Sequence, residues 1–182
     1  FVYAQKGDSP IPVAFDSLIE VSRDYTAEAA FEEAFTASAA AGQIAEDCCG
    51  EHSVAYASYC FNEGRIRDFM GRKEEAVDWY VRSKDLRAEL LGTLHPDYGK
   101  SLNNLATVYD EMGRSRQAEP LYLEALEVRR AYAGEESLPY ASVLDNLSIL
   151  YQDLGRFEEE ELLGFQVRGI RERLLGKEDP EY

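Results

Sequence analysis

Residues 92–134 have the sequence GTLHPDYGKSLNNLATVYDEMGRSRQAEPLYLEALEVRRAYAG. Apolar side chains recur in this stretch at the three- and four-residue spacing of two amphipathic helices, and a short glycine-containing turn separates them. The same framework returns every 42 residues in four separate series. These are Tyr56, Tyr98, Tyr140 and Tyr182; Gly50, Gly92, Gly134 and Gly176; Asn62, Asn104 and Asn146; and the Gly-Arg pairs at 71–72, 113–114 and 155–156. A shared period of this length predicts an all-α array of stacked helix pairs, a helical solenoid.

The framework of this central repeat resembles that of a tetratricopeptide repeat. The places that this family fills with bulky, small and aromatic residues hold Leu102, Leu105, Ala106, Tyr109, Gly113, Ala118, Tyr122 and Ala125. The usual repeat has about 34 residues, so the repeat here is longer. This longer form, with HPDY before LNNLA and a closing glycine, resembles the repeats of kinesin light chains and of many bacterial multi-repeat proteins. The resemblance covers about residues 50–182 and implies a superhelical solenoid of antiparallel helix pairs.

The period divides the chain into six segments. An irregular leader (1–12) is followed by a degenerate N-terminal helix pair (13–49), in which Ala29 stands where the other repeats have a turn glycine. Three repeats follow, at 50–91, 92–133 and 134–176. Residues 177–182 contain Asp179-Pro180, which predicts the truncated start of a further repeat, so we expect the sequence to be part of a longer array.

Composition excludes several classes of function. The formal charge is -16, which argues against binding nucleic acid or an anionic membrane surface. No apolar run approaches the length of a membrane-spanning helix. A protein or peptide partner with a basic or neutral segment suits this charge. The cysteines bear on the compartment. We expect Cys48, Cys49 and Cys60 to be reduced, because adjacent cysteines would form a strained bridge. Reduced cysteines slightly favour a cytoplasmic setting, but the initial FVYAQ leaves a secretory leader open.

No catalytic or cofactor-binding constellation is present. The sequence lacks the common motifs of metalloproteases, P-loop proteins, serine hydrolases and dinucleotide-binding enzymes. Cys48, Cys49, His52 and Cys60 imitate a metal site, but adjacent cysteines fit the spacing of zinc ligands badly. We therefore predict a protein that is not an enzyme, with no cofactor and no metal site.

The asparagine series is the strongest functional signal. In kinesin-light-chain-like repeats the matching asparagine of LNNLA holds the backbone of an extended peptide on the concave face. An amide side chain suits this role because it both donates and accepts a hydrogen bond. The resemblance implies a peptide-binding surface formed by Asn62, Asn104 and Asn146 with Ser58, Phe61, Arg65, Phe69, Lys100, Asn103, Thr107, Glu111, Asp145, Ile149 and Asp153. The alternative is that the asparagines cap or cross-link helices.

Two other functions stay open at this point: a structural spacer or oligomerisation arm, and a sensor arm of a larger signalling or effector protein. The helix after Gly155 is apolar on more than one side, through residues that include Leu162, Phe165 and Leu174. We therefore expect self-association through this end of the chain.

Three departures from the repeat framework carry structural expectations. Glu63 and Arg67 replace the usual Leu and Tyr, and we expect them to pair along their helix at a wetter, looser junction; a hinge or ligand pocket is the alternative. Gly164, with Glu160, replaces the aromatic and small residues of the third repeat, which predicts looser packing there. Pro120 is expected in the first turn if its helix begins near Gln117, and it would bend the helix otherwise.

Overall fold

The computed structural model describes residues 11–176, and these form eight α-helices and no strand. The helices are α1 (Val13–Ala27), α2 (Phe31–Cys49), α3 (Val54–Phe69), α4 (Lys73–Leu91), α5 (Pro96–Glu111), α6 (Ser115–Ala133), α7 (Leu138–Asp153) and α8 (Phe157–Leu175). Short turns join them into four antiparallel pairs. The predicted residues 1–10 of the leader and the predicted repeat start at 177–182 lie outside the described residues. None of the described helices combines the length and hydropathy that a membrane-spanning segment requires.

The eight helices form two compact units, α1–α4 and α5–α8, with the division after Gly92. In each unit, consecutive helices pack as pairs, and the first helices of the two pairs also touch: α1 contacts α3, and α5 contacts α7. The second helix of one pair packs against the first helix of the next, α2 on α3 and α6 on α7. This is the nearest-neighbour packing that a repeat array predicts.

The turn within each helix pair has the same backbone conformation. Gly71, Gly113 and Gly155 have φ angles of 74°, 69° and 71°, and Ala29 occupies the equivalent place with a φ of 58°. The amide of the following residue donates to the carbonyl five residues earlier, as Arg72 does to Arg67 at 2.8 Å, which is the hydrogen bond of a Schellman helix end. Ala29 therefore adopts the positive φ of this turn in place of glycine, at the position that the repeat register predicts.

Each helix pair closes around a small buried residue of its first helix, in one of two ways. In the two middle pairs an aromatic ring of the second helix covers this residue. A Cβ on Gly64 would lie 2.8 Å from the Tyr80 ring, and Ala106 and Tyr122 hold the same two places and are also buried. The outer pairs lack this tyrosine and place a serine at the small position instead.

Those serines hydrogen-bond to the backbone of the second helix. Ser22 Oγ donates to the Ala34 carbonyl at 2.8 Å. Ser148 Oγ donates to the Glu160 carbonyl at 3.3 Å. A serine side chain thus replaces the ring contact where the tyrosine is missing, and its buried hydroxyl group has a hydrogen-bond partner.

The junction between α2 and α3 is buried and closely packed, so the expected loose junction is wrong. Glu63 pairs with Arg67 at 2.5 Å, as predicted, but only 5% and 14% of these side chains are exposed. Ser38 Oγ of α2 donates to Glu63 Oε1 at 2.5 Å. The Arg67 guanidinium lies between two rings, 5.1 Å from Phe35 and 4.9 Å from Trp79. The pair is therefore both hydrogen-bonded and enclosed by aromatic rings.

Asn62 extends this polar network and is completely buried. Its Nδ2 donates to Ser22 Oγ of α1 at 2.8 Å and to Ser38 Oγ of α2 at 3.1 Å. Its Oδ1 has no hydrogen-bond partner among residues 11–176. Asn62 thus cross-links three helices, which is the alternative role considered for the asparagine series.

The last pair is packed more loosely, as the sequence predicts. In α8 only Val167 and Ile170 are buried, whereas α6 buries five side chains. Glu160 occupies a place that is a buried alanine in α2, α4 and α6. A Cβ on Gly164 would meet no atom within 4 Å. The space that Tyr122 fills in α6 is therefore open in α8.

Two other expectations need correction. Helix α6 begins at Ser115, so Pro120 lies inside it, beyond the first turn. Because proline has no amide hydrogen, the Arg116 carbonyl lacks its usual donor, but Arg116 is exposed and this carbonyl lies near the start of the helix.

The second correction concerns the cysteines. Cys48 and Cys49 are joined by a disulfide rather than reduced. They are the last two residues of α2, which Gly50 ends with a φ of 77°. Cys60 is a free, buried thiol, and burial raises its pKa to about 12. The cysteines therefore give no support for a reducing compartment.

Gly164→Ala is expected to stabilise the second unit by about 1 kcal/mol, because alanine has the higher helix propensity and its methyl group enters open space. Gly64→Ala is the matched control. Its methyl group would collide with the Tyr80 ring, so it should destabilise the protein. Urea unfolding followed by circular dichroism measures both, and a loss of stability in Gly164→Ala would contradict the open space.

Glu63→Leu alone is expected to cost about 3 kcal/mol, because it leaves the enclosed Arg67 without its carboxylate. The double variant Glu63→Leu/Arg67→Tyr restores the usual framework residues and should recover most of that loss. Fluorescence of Trp79, the single tryptophan, reports this junction directly during urea unfolding. A double variant as unstable as the single one would show that the ion pair is not the relevant interaction.

Candidate protein-binding surface

The surface formed by α5 and α7, the first helices of the second unit, contains most of the predicted site residues. Lys100, Glu111, Ile149 and Asp153 are exposed. The remaining predicted residues there are half-buried: Asn103, Asn104, Thr107, Asp145 and Asn146. We refer to these nine residues, together with Asp110, as the α5–α7 surface.

A side-chain hydrogen bond joins the two helices of this surface. Asn146 Nδ2 donates to Asn103 Oδ1 at 3.1 Å. Asn103 was predicted only as a neighbour of the asparagine series, yet it is the residue that meets Asn146. Asn104 is half-buried and interacts with another part of the protein, so it is less accessible than the sequence predicts.

Two other residues of the surface are fixed from within the protein. Thr107 Oγ1 donates to the Asn103 carbonyl at 3.0 Å and accepts a hydrogen bond from the Tyr122 hydroxyl at 3.1 Å. Asp145 forms an ion pair with Arg171 of α8. These bonds fix the side chains that flank the asparagines, so the amide groups lie in a pre-formed setting.

The C-terminal ends of α5 and α7 make one end of this surface acidic. Burial raises the pKa of Asp110, and the charges of Asp153 and Glu111 raise it further. Glu111 and Asp153 are exposed. Lys100, at the other end of α5, is bonded to Asp97 at 2.9 Å. The carboxylates of Asp110, Glu111 and Asp153 therefore lie close enough to act on one another at this end of the surface.

Sequence reasoning missed Asp110. The residue precedes Glu111, and its proximity to Asp153 becomes visible only when α5 and α7 are aligned at the 42-residue spacing that relates Glu111 to Asp153. Aligning the two helices by the repeat register could have indicated this proximity, whereas a motif search could not.

In the first unit the predicted residues do not form one open surface. Asn62 is buried between α1, α2 and α3, so its predicted accessibility is wrong. Phe61 is also buried, under the Arg87 guanidinium at 4.6 Å; Ser58 is half-buried. Arg65 is half-buried and Phe69 is 59% exposed. Only these last two remain available at the surface as expected.

An open depression of about 560 Å³ lies elsewhere in the first unit, against α4. Its rim includes Glu51, His52 and Glu89, and His52 Nε2 lies 3.4 Å from Glu89 Oε1. Among the described residues no group of three or more His, Cys, Asp or Glu side chains is placed to hold a metal ion.

Comparison with known families and structures identifies the repeat. Two models of the tetratricopeptide repeat match residues 70–131 and 141–181, which together are more than half of the chain. No curated protein sequence matches significantly.

The chain is similar in structure to BtubC (BKLC) from P. vanneervenii, with a TM-score of 0.78 and 22% identity over 95% of this chain and 78% of that one. A kinesin light chain-like protein of Podosopora anserina with nearly identical TPR-like repeats has a TM-score of 0.58 and 17% identity, over 88% and 96% of the two chains. MamA has a TM-score of 0.62 and 15% identity, over 87% and 79%. At these identities the likeness shows the fold.

The predicted fold class is thereby confirmed, since helix pairs, turn glycines and family matches agree. Tetratricopeptide repeats mediate protein–protein interactions, and proteins built from them are generally non-catalytic scaffolds. The chain belongs to the tetratricopeptide-repeat proteins.

Proposed function

We propose that this chain binds an extended segment of another protein along the α5–α7 surface. The hydrogen bond between Asn146 Nδ2 and Asn103 Oδ1 carries the proposal. It uses the amide donor of Asn146 and the amide acceptor of Asn103, and the other amide atoms, Asn146 Oδ1 and Asn103 Nδ2, take no part in it. An acceptor next to a donor complements the N–H and C=O of a peptide backbone without reading its side chains.

The charge of the surface supports a basic residue in the bound segment. Asp110, Glu111 and Asp153 repel one another, because the pKa of Asp110 is raised partly by the other two charges. A Lys or Arg side chain placed among them would relieve this repulsion. The proposed ligand is therefore an extended peptide backbone with a basic side chain toward the C-terminal ends of α5 and α7.

A second candidate function is self-association through α8, favoured by its exposed apolar side chains. Leu162 is 59% exposed and Phe165 61%. The helix is acidic at its start, from Glu158 to Glu161, and carries Arg168 in its second half. Antiparallel pairing with a second copy across a two-fold axis would cover the apolar residues and place the acidic start of one helix beside the basic half of the other.

Peptide binding is tested by selecting random twelve-residue peptides on the protein and measuring their affinities by fluorescence polarisation. Selected peptides should be rich in Lys and Arg. Asn146→Ala and Asn104→Ala should weaken binding about three- to tenfold, the effect of losing one hydrogen bond. Gln166→Ala removes an exposed amide from α8 and should change nothing. Failure to select peptides, or unchanged affinity in Asn146→Ala, would reject the proposal.

Sedimentation equilibrium tests self-association. The protein should dimerise at concentrations of about 10–100 µM, in the range of modest interfaces, and Phe165→Glu should make it monomeric. Leu123→Glu is the control, because Leu123 holds the same place on α6 and is 45% exposed. A wild-type protein that stays monomeric, or equal effects of the two substitutions, would contradict the α8 contact.

A further inference from the structure

One position of the repeat is occupied by residues of different chemical type in successive first helices. At the 42-residue spacing, successive first helices carry Arg23, Arg65, Thr107 and Ile149 at this place. One helical turn later they carry Ala27, Phe69, Glu111 and Asp153. The surface of the first helices is therefore basic and apolar in the first unit, whereas it is acidic in the second.

The packing of α1 on α3 brings the two arginines together. Asn62 Nδ2 donates to Ser22 Oγ at 2.8 Å and fixes the two helices against each other at this level. Arg23 follows Ser22, and Arg65 lies three residues after Asn62. The pKa of Arg65 is lowered, first by burial and then by the positive charge of Arg23. The two guanidinium groups therefore act on each other.

These two arginines are uncompensated in a strongly acidic protein. Most other arginines of the first unit pair with carboxylates, as Arg72 does with Glu75 at 2.6 Å. Within residues 11–176 neither Arg23 nor Arg65 forms an ion pair. The carboxylate of Asp68 acts on Arg65 but is bonded to Lys73 at 2.6 Å, and Glu20, one turn before Arg23, is exposed to solvent.

An exposed ring adjoins the pair. The Arg65 guanidinium lies 5.9 Å from the centre of the Phe69 ring, and Phe69 is 59% exposed. The ring offers an apolar surface next to the Arg65 guanidinium group. A ligand that uses the whole arrangement needs an anionic group and a flat apolar group close to it.

We propose that Arg23, Arg65 and Phe69 form a binding site for a phosphorylated side chain of a partner protein. A phosphomonoester carries a charge of about -1.5 to -2 and three acceptor oxygens at neutral pH. It therefore matches two guanidinium groups, whereas one carboxylate compensates only one of them. The Phe69 ring favours an aromatic ester, so phosphotyrosine is the best complement. The site lies in the first unit and does not depend on peptide binding by α5 and α7.

Phenyl phosphate is the probe, titrated into the complete 182-residue chain while the arginine Nε–Hε signals are followed by NMR. Saturable shifts are expected for Arg23 and Arg65. Arg23→Gln and Arg65→Gln should each weaken binding about tenfold, as the loss of a charge-assisted hydrogen bond does. Arg116→Gln, an exposed arginine of α6, is the matched control and should bind as the wild type does.

Two further ligands separate the contributions. Benzoate has the same ring with one charge and should bind at least about fivefold more weakly. Inorganic phosphate lacks the ring and should also bind more weakly, and Phe69→Ala should abolish the advantage of phenyl phosphate over it.

Absence of saturable shifts, unchanged binding in either arginine variant, or equal binding of benzoate would each overturn the proposal. Affinity for peptides selected on the α5–α7 surface should be unchanged in Arg23→Gln and Arg65→Gln. The proposal of a phosphate site and the proposal of a peptide-binding surface can therefore be rejected independently of each other.

Discussion

The contact between the two helices of each pair depends on one small buried residue of the first helix. Where that residue is Gly64 or Ala106, a tyrosine ring of the second helix fills the space above it. Where it is Ser22 or Ser148, the tyrosine is absent and the serine hydroxyl bonds to a backbone carbonyl of the second helix. The two solutions keep the helices paired, but only the first fills the space with an apolar side chain.

The serine solution has different consequences in the two outer pairs. In the first pair, Ser38 stands in the tyrosine place and bonds to Glu63 and Asn62, so a polar network fills the space. In the last pair, Gly164 leaves that space empty and α8 buries few side chains. The same local change therefore produces a polar core at one junction and a loose helix at the other.

The 42-residue period was sufficient to predict the helix pairs, their turns and the place of Ala29, because glycine, proline and apolar spacing act locally. The pairing of Glu63 with Arg67 was also predictable, since the two residues are one turn apart. The burial of Asn62 was not. Its partners, Ser22 and Ser38, are ordinary polar residues in the least regular part of the sequence, and only the packing of α1 and α2 on α3 reveals them.

The candidate surface was predictable in part for the same reason. Register alone identified the asparagine series, but its members lie in different places: Asn62 joins helices inside the protein, whereas Asn146 joins α7 to Asn103 of α5 at the surface. The side-chain amide protons of these asparagines test this division directly by hydrogen exchange in NMR. The account predicts that the Asn62 protons exchange far more slowly than those of Asn104 and Asn146. Equally fast exchange at all three residues would contradict it.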